Sequence, residues 1–260
     1  MLQYFASNVT FFISLTWLPS YIRSQWPDDP HAIYYSAIPL IFAAFANWIA
    51  GSMVTGLFKK GYHVGSRRIT AIVGFSLGLV GLILAIQTKN LDFLTTDKAQ
   101  LYWFVFCFAL ATFGVDMTLS PSWAFCNDIG GSNSGAVSGS MNMVGNIGAA
   151  LSAIMFPILL NEETGSANTF FVLAAGLNFV AIATWCFMNP NRTSDKKLSP
   201  KAIRTRFIAM LTSLVLLTLG TIGYNIYKST RKKPVATDQT SQVDPNDVDD
   251  SNNMIMEEDR

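Results

Sequence analysis

Very few side chains in the apolar parts of this sequence could take part in chemistry, and most of them are amides and hydroxyls. Asp116 is the one acidic residue well inside an apolar stretch, and no Lys, Arg or His lies at a similar depth to pair with it. Asn142 and Asn146 are four residues apart, so they share a face if the segment is helical. Ser120 and Trp123 follow Asp116 on its own stretch. A carboxyl group could bind a proton or a cation, and the amides beside an aromatic ring could bind a small polar solute.

Several other kinds of chemistry are excluded by residue types and spacing. Both histidines, His31 and His63, lie in predicted loops, and neither an HExxH nor a GxSxG motif occurs. Cys107, Cys126 and Cys186 lie in apolar stretches without CxxC spacing, which argues against a disulfide framework and a zinc site. No basic patch interleaved with exposed aromatic residues is present, so we expect no nucleic-acid partner. We therefore expect neither an enzyme nor a bound metal or cofactor.

The elements that carry these side chains are seven stretches of about 20 mostly uncharged residues, each long enough to cross a bilayer hydrocarbon core of about 30 Å. The chain is 50% hydrophobic and only 13% charged, and its charges lie in the gaps between the stretches. The sequence thus predicts an all-α, polytopic protein embedded in the lipid bilayer. The predicted spans are 2–22, 32–58, 69–88, 101–126, 135–160, 168–188 and 207–227.

Basic residues alternate between the two sides of the predicted membrane. Ten flank one side: Lys59, Lys60, Arg67, Arg68, Arg192, Lys196, Lys197, Lys201, Arg204 and Arg206. The other side has Arg23, Lys89 and Lys98. Because basic loops stay in the cytoplasm, we expect a cytoplasmic N-terminus, in an integral multi-pass protein of a bacterial inner membrane.

The C-terminal quarter of the chain divides into three predicted segments. Residues 191–206 form a basic cytoplasmic linker, 207–227 an extra transmembrane helix, and 228–260 an acidic tail. The tail has almost nothing apolar to bury, so we expect it to be disordered. The extra helix has basic residues on both sides, which leaves its direction weakly specified.

Prolines interrupt four of the predicted spans, at Pro19, Pro39, Pro121 and Pro157. Each removes a helical hydrogen bond and leaves backbone carbonyls that neighbouring helices or cavity water must satisfy. Four kinked helices are typical of a membrane protein that changes conformation. Small residues at helix-contact spacing, such as Gly74 and Gly78, predict close packing between helices.

Two alternatives stay open for the polar residues. Asp116 is either a proton or cation site, or a neutral acid that is hydrogen-bonded within the bundle. Asn142 and Asn146 either face a wet cavity and bind a solute, or form hydrogen bonds that hold neighbouring helices together.

Four segments carry a resemblance to a known family. Residues 15–21 (LTWLPSY) resemble the seventh helix of the anion:cation symporter family within the major facilitator superfamily. Residues 121–128 (PSWAFCND) and 139–148 (GSMNMVGNIG) are similar to that family's helices 10 and 11. Residues 51–68 resemble the second copy of the superfamily's loop signature, except that Thr55 stands at its acidic position.

The resemblance implies that residues 1–190 form the C-terminal, six-helix half of a twelve-helix carrier, equivalent to its helices 7 to 12. Such carriers transport small organic anions by alternating access, coupled to a proton or cation. By position, this half would contribute six substrate-binding residues: Tyr4, Asn8, Ser120, Trp123, Asn142 and Asn146. The resemblance also implies four residues that gate the carrier or shape its helices: Pro19, Pro121, Asp128 and Gly145. For Asp128, the alternative is a structural role at the cytoplasmic end.

Two function classes follow from this resemblance. In the first, the chain is a carrier half, either a fragment of a longer product or the partner of a separately encoded N-terminal half. The charged coupling and anion-binding residues implied by the family lie mainly in that other half. In the second, the chain is a non-transporting membrane scaffold or a truncated remnant.

Overall fold

A computed structural model describes residues 1–161 and 164–191, together with 204, 205, 208 and 212. Within the two long ranges the chain forms eight α-helices and no β-strand. The predicted linker 191–206, the extra helix 207–227 and the tail 228–260 lie almost wholly outside the described residues. The helices are α1 (Leu2–Thr16), α2 (Leu18–Gln25), α3 (Ala37–Lys59), α4 (His63–Ile86), α5 (Asp97–Met117), α6 (Leu119–Gly130), α7 (Ser134–Leu159) and α8 (Asn168–Phe187).

Four helical stretches among the described residues are long and apolar enough to cross a membrane: Ala32–Lys59, His63–Ile86, Asp97–Leu159 and Asn168–Phe187. The stretch Asp97–Leu159 has 63 residues and contains α5, α6 and α7, while about 20 residues suffice for one crossing. These stretches confirm the prediction of an all-α, polytopic membrane protein.

The first predicted span, 2–22, is divided between two helices that meet at Trp17. Its longer piece, α1, has 15 residues, which corresponds to about 22 Å of helix and falls short of the hydrocarbon core. The Trp17 indole Nε1 donates a hydrogen bond of 2.8 Å to the carbonyl oxygen of Ala153 on α7. This bond anchors the junction to the neighbouring helix.

The predicted interruptions are confirmed at two of the four prolines. The break just described precedes Pro19, and a second break at Thr118, between α5 and α6, precedes Pro121. Each break lies upstream of its proline because the ring clashes with the carbonyl one turn earlier. In the predicted span 32–58, a 3₁₀-helix, Ala32–Ser36, gives way to α3 two residues before Pro39. The prediction of an interruption is wrong at Pro157, which lies in the last turn of α7 without a break in the helix.

The backbones of α4 and α5 cross in direct contact, as the glycine spacing predicts. A Cβ atom on Gly114 would lie 2.4 Å from the amide nitrogen of Gly78 and 2.5 Å from the carbonyl oxygen of Gly74. No side chain fits at such a distance, so only glycine permits this approach, which gains dispersion contacts that lipid alone cannot provide. The crossing sets the position of α5, the helix that carries Asp116.

Charges gather where α3 ends and α4 begins. Lys59, Lys60, Arg67 and Arg68 all lie there, and we refer to this side of the bundle as the basic end. The Arg67 side chain reaches Asp128 near the end of α6, so helices from distant parts of the sequence share the same end.

Candidate binding cavity

A cavity of about 570 Å³ lies among α1, α3, α5, α6 and α7, within the size range of small-molecule sites. Its polar side chains are Tyr4, Ser7, Asn8, Asn47, Asp116, Asn142 and Asn146, and the remaining lining residues are apolar: Phe11, Phe12, Leu15, Leu40, Ala43, Ala44, Val115 and Leu119. Five residues singled out in the sequence therefore meet in one place, although they come from three different helices.

The Asn142 and Asn146 side chains face this cavity, and both residues are exposed. Within the described part of the chain, neither side-chain amide has a hydrogen-bond partner. Because hydrocarbon cannot satisfy an amide, cavity water, a solute or another protein segment must do so. Among the described residues, the pair therefore lines the cavity without bonding a neighbouring helix.

Asn178 shows the contrasting arrangement. This residue on α8 is fully buried, and its Nδ2 lies 3.4 Å from Oγ1 of Thr10 on α1, so its amide does join two helices. The protein thus separates asparagines that pack the bundle from asparagines that line the cavity.

Gly145 determines how closely α7 approaches the first helix. A Cβ atom at this position would lie 2.5 Å from Cδ1 of Tyr4 and 2.8 Å from Nδ2 of Asn8. The Asn8 amide in turn donates a 2.8 Å hydrogen bond to the carbonyl oxygen of Tyr4. The glycine therefore fixes the side of the cavity that Tyr4 and Asn8 form.

Asp116 has a partner that the sequence analysis missed. The side-chain amide of Asn47 on α3 donates a hydrogen bond to Oδ2 of Asp116, which is partly buried. Asn47 is the one amide side chain in the whole of α3, and an amide in the middle of a mostly apolar helix was the available signal. Its pairing with Asp116, 69 residues away, depends on how the two helices pack.

Ser120 and Trp123 do not line the cavity. The Trp123 side chain interacts with the hydroxyl of Tyr4 and so lies next to a lining residue. Ser120 lies against α3, where its Oγ would be 3.7 Å from a Cβ atom on Gly51. The structure therefore brings together Tyr4, Asn8, Asn142 and Asn146 of the six predicted binding residues.

Asp128 lies outside the cavity and forms the only ion pair among the described residues. Its two carboxylate oxygens accept hydrogen bonds from Arg67, of 2.8 Å from Nε and 3.2 Å from Nη2. The guanidinium also donates to Ser66 Oγ and lies 4.7 Å from the centre of the Phe58 ring. These contacts join the ends of α3, α4 and α6, and they favour the alternative of a structural role for Asp128.

The sequence of this chain is similar to those of several transporters. The chain is 26% identical over 192 residues to the probable sulfoacetate transporter SauU of Cupriavidus necator, covering 74% of this chain and 42% of that protein. It is 28% identical over 193 residues to the probable anion transporter 2, chloroplastic, of Oryza sativa, covering 73% of this chain and 33% of that protein. It is 27% identical over 199 residues to the hexuronate transporter of Bacillus subtilis, covering 72% of this chain and 43% of that protein.

The chain spans less than half the length of each of these relatives. No family model matches the chain, and no solved structure gives a significant match. The relatives are all transporters, two of them named for anionic substrates and one as an anion transporter. The similarity confirms the resemblance of this multi-pass membrane protein to the anion:cation symporters of the major facilitator superfamily.

Proposed function

We propose that this chain is the C-terminal half of a secondary carrier for a small organic anion, which binds in the cavity between α1 and α7. The observation that supports this most directly is the pair of Asn142 and Asn146, two amides at membrane depth that face the cavity without a partner in the described part of the chain. Amide N–H groups donate to carboxylate or sulfonate oxygens, and such charge-assisted hydrogen bonds are stronger than those between neutral groups.

The same cavity suggests how transport is coupled to a proton or cation. An ionised Asp116 opposes an anion in the cavity, because two like charges about 6 Å apart repel by about 3 kcal/mol at an effective dielectric constant of about 20. A proton or cation taken up by Asp116 removes this repulsion. The anion and the coupling ion would then bind together and cross together, as in a symporter.

A second set of helices would complete the carrier. The matched part of this chain covers only 42% and 33% of two of these relatives, and alternating access in such proteins requires two bundles around one site. Among the described residues, no atom lies within 4 Å of the position of a Cβ added to Gly135 or Gly139 on α7, so this face of the helix is open to another helix. In the orientation given by the basic loops, the basic end faces the cytoplasm of a bacterial cell.

The experiment that tests this proposal is uptake into proteoliposomes by the chain assembled with a complementary six-helix half. Radiolabelled sulfoacetate and glucuronate serve as anionic probes, since relatives are named for these classes of substrate. Asn142→Ala and Asn146→Ala should each lower uptake at least about tenfold, because each removes a hydrogen bond to a charged group. Asn133→Ala is the matched control. Its side chain precedes α7 without capping it and is remote from the cavity, so uptake should be unchanged.

Uptake that is the same in both cavity variants and in the control would refute the assignment of Asn142 and Asn146 to the binding site. A complete absence of anion uptake by correctly assembled wild-type protein would favour the alternative of a non-transporting membrane scaffold.

A further inference from the structure

The polar side chains of the binding cavity lie on two separate walls. Asn142 and Asn146 belong to α7, which packs against α1. Asn47 and Asp116 belong to α3 and α5, which pack against each other. In the described ranges, neither α3 nor α5 packs extensively against α7, so the cavity separates the two walls. We refer to Asn47 and Asp116 as the acid–amide pair.

The acid–amide pair provides hydrogen-bond acceptors at the cavity wall. The Asn47 amide donates to Oδ2 of Asp116, which leaves the Asn47 carbonyl oxygen and Oδ1 of Asp116 as acceptors. Neither oxygen receives a hydrogen bond from a described residue, and both residues are only partly buried. A bound solute therefore fits this wall if it brings a hydrogen-bond donor.

A second acidic group on the solute fits this wall poorly. The cavity-lining residues among those described include no Lys, Arg or His, so no cation there would balance another negative charge. Beside an ionised Asp116, two like charges would repel each other in a site where apolar groups lower the dielectric constant. Beside a protonated Asp116, the acidic group would still lose its hydration against Leu40, Val115 and Leu119.

A hydroxyl group avoids both costs. It donates a hydrogen bond to a carboxyl oxygen whether Asp116 is ionised or protonated, because the carboxyl group has acceptor capacity in both states. It is uncharged, and therefore it adds no repulsion. An apolar chain in the same place would leave the acceptor oxygens of the acid–amide pair without a donor, which is how a site built for a hydroxyl rejects an analogue that lacks one.

We propose that the acid–amide pair is a second subsite, which binds a hydroxyl group of the substrate while Asn142 and Asn146 bind its acidic group. The substrate that this arrangement selects is a hydroxylated monoanion, and both dianions and anions with an apolar chain are disfavoured. This inference rests on the proposed function. It adds the chemical class of the substrate and makes Asn47 and Asp116 specificity-determining residues.

The test compares three radiolabelled probes of equal chain length: gluconate, its dianionic counterpart glucarate, and hexanesulfonate, a monoanion without hydroxyl groups. The chain is assembled with a complementary six-helix half in proteoliposomes, and initial rates of downhill uptake are measured, so that no ion gradient is needed. Protein-free liposomes give the background rate. Uptake of gluconate should exceed uptake of each of the other two probes at least about tenfold.

Two variants of Asp116 separate its charge from its hydrogen-bonding capacity. Asp116→Asn removes the charge and keeps an acceptor oxygen, so it should raise uptake of glucarate relative to gluconate by about tenfold and retain the preference for gluconate over hexanesulfonate. Asp116→Leu should remove most of that preference. Asp92→Asn is the matched control: this exposed aspartate does not line the cavity, so all ratios should be unchanged. Each variant is judged by a ratio of rates, so a smaller amount of folded protein does not alter the result.

Equal ratios of glucarate to gluconate uptake in Asp116→Asn and Asp92→Asn, or a hydroxyl preference that is unchanged in Asp116→Leu, would overturn the proposed subsite. A loss of uptake in Asn142→Ala beside equal wild-type uptake of all three probes would leave the proposed function intact and remove only the selectivity. No uptake of any probe by correctly assembled wild-type protein would refute both.

Discussion

Replacing Arg67 by alanine should lower the free energy of unfolding of the bundle by about 2 to 4 kcal/mol. Arg67 and Asp128 make a bidentate contact, and their side chains are 10% and 31% exposed. Removing one partner of a fully buried pair costs about 3 to 5 kcal/mol, whereas an exposed pair contributes about 0 to 1 kcal/mol. The partial exposure of Asp128 places the expected value between these limits. The lost contact with the Phe58 ring adds about 0.5 to 1 kcal/mol.

The assay is unfolding in mixed micelles with increasing sodium dodecyl sulfate, followed by far-ultraviolet circular dichroism. Asp128→Asn keeps the side-chain volume and one acceptor oxygen, so its cost should be smaller, about 1 to 2 kcal/mol. A double-mutant cycle with Arg67→Met and Asp128→Leu should give a coupling energy above about 1 kcal/mol. Lys60→Ala is the control, since its side chain is exposed and makes no ion pair in the described part of the chain, and it should stay within about 0.5 kcal/mol of wild type.

The reasoning is refuted if Arg67→Ala matches Lys60→Ala, or if the coupling energy is near zero. Either result would mean that the contact between α4 and α6 does not hold the basic end together, and the structural role favoured for Asp128 would lose its basis.

Two further predictions concern packing between helices. Gly145→Val should destabilise the bundle by about 1 to 3 kcal/mol and disrupt the cavity, since its Cβ would overlap Tyr4. Gly139→Val is the control: no described residue lies within 4 Å of its Cβ position, so its free energy of unfolding should stay within about 0.5 kcal/mol of wild type in the same assay. Asn178→Ala should lower the free energy of unfolding by about 1 to 3 kcal/mol, because it removes the bond from Nδ2 to Thr10 that joins α8 to α1 and leaves space at a fully buried position. An unchanged free energy of unfolding in the same assay would show that this bond does not stabilise the bundle.

The sequence by itself determined the class of protein and most of its helices. Long uncharged stretches require helices in lipid, because every backbone polar group must be satisfied within its own segment. The breaks before Pro19 and Pro121 were predictable for a related reason, since each proline removes one of those hydrogen bonds. The shared face of Asn142 and Asn146 followed from helical periodicity alone.

Only the tertiary structure decided which side chains share the cavity. Periodicity tells which residues lie on one face, but it does not tell which way that face turns, because the rotation of each helix is set by contacts with its neighbours. Gly145 fits against Tyr4, while a Cβ added to Gly139 on the same helix would meet none of the described residues, although both are glycines in an apolar segment. The same kind of packing paired Asp116 with Asn47 across 69 residues and turned Ser120 toward α3.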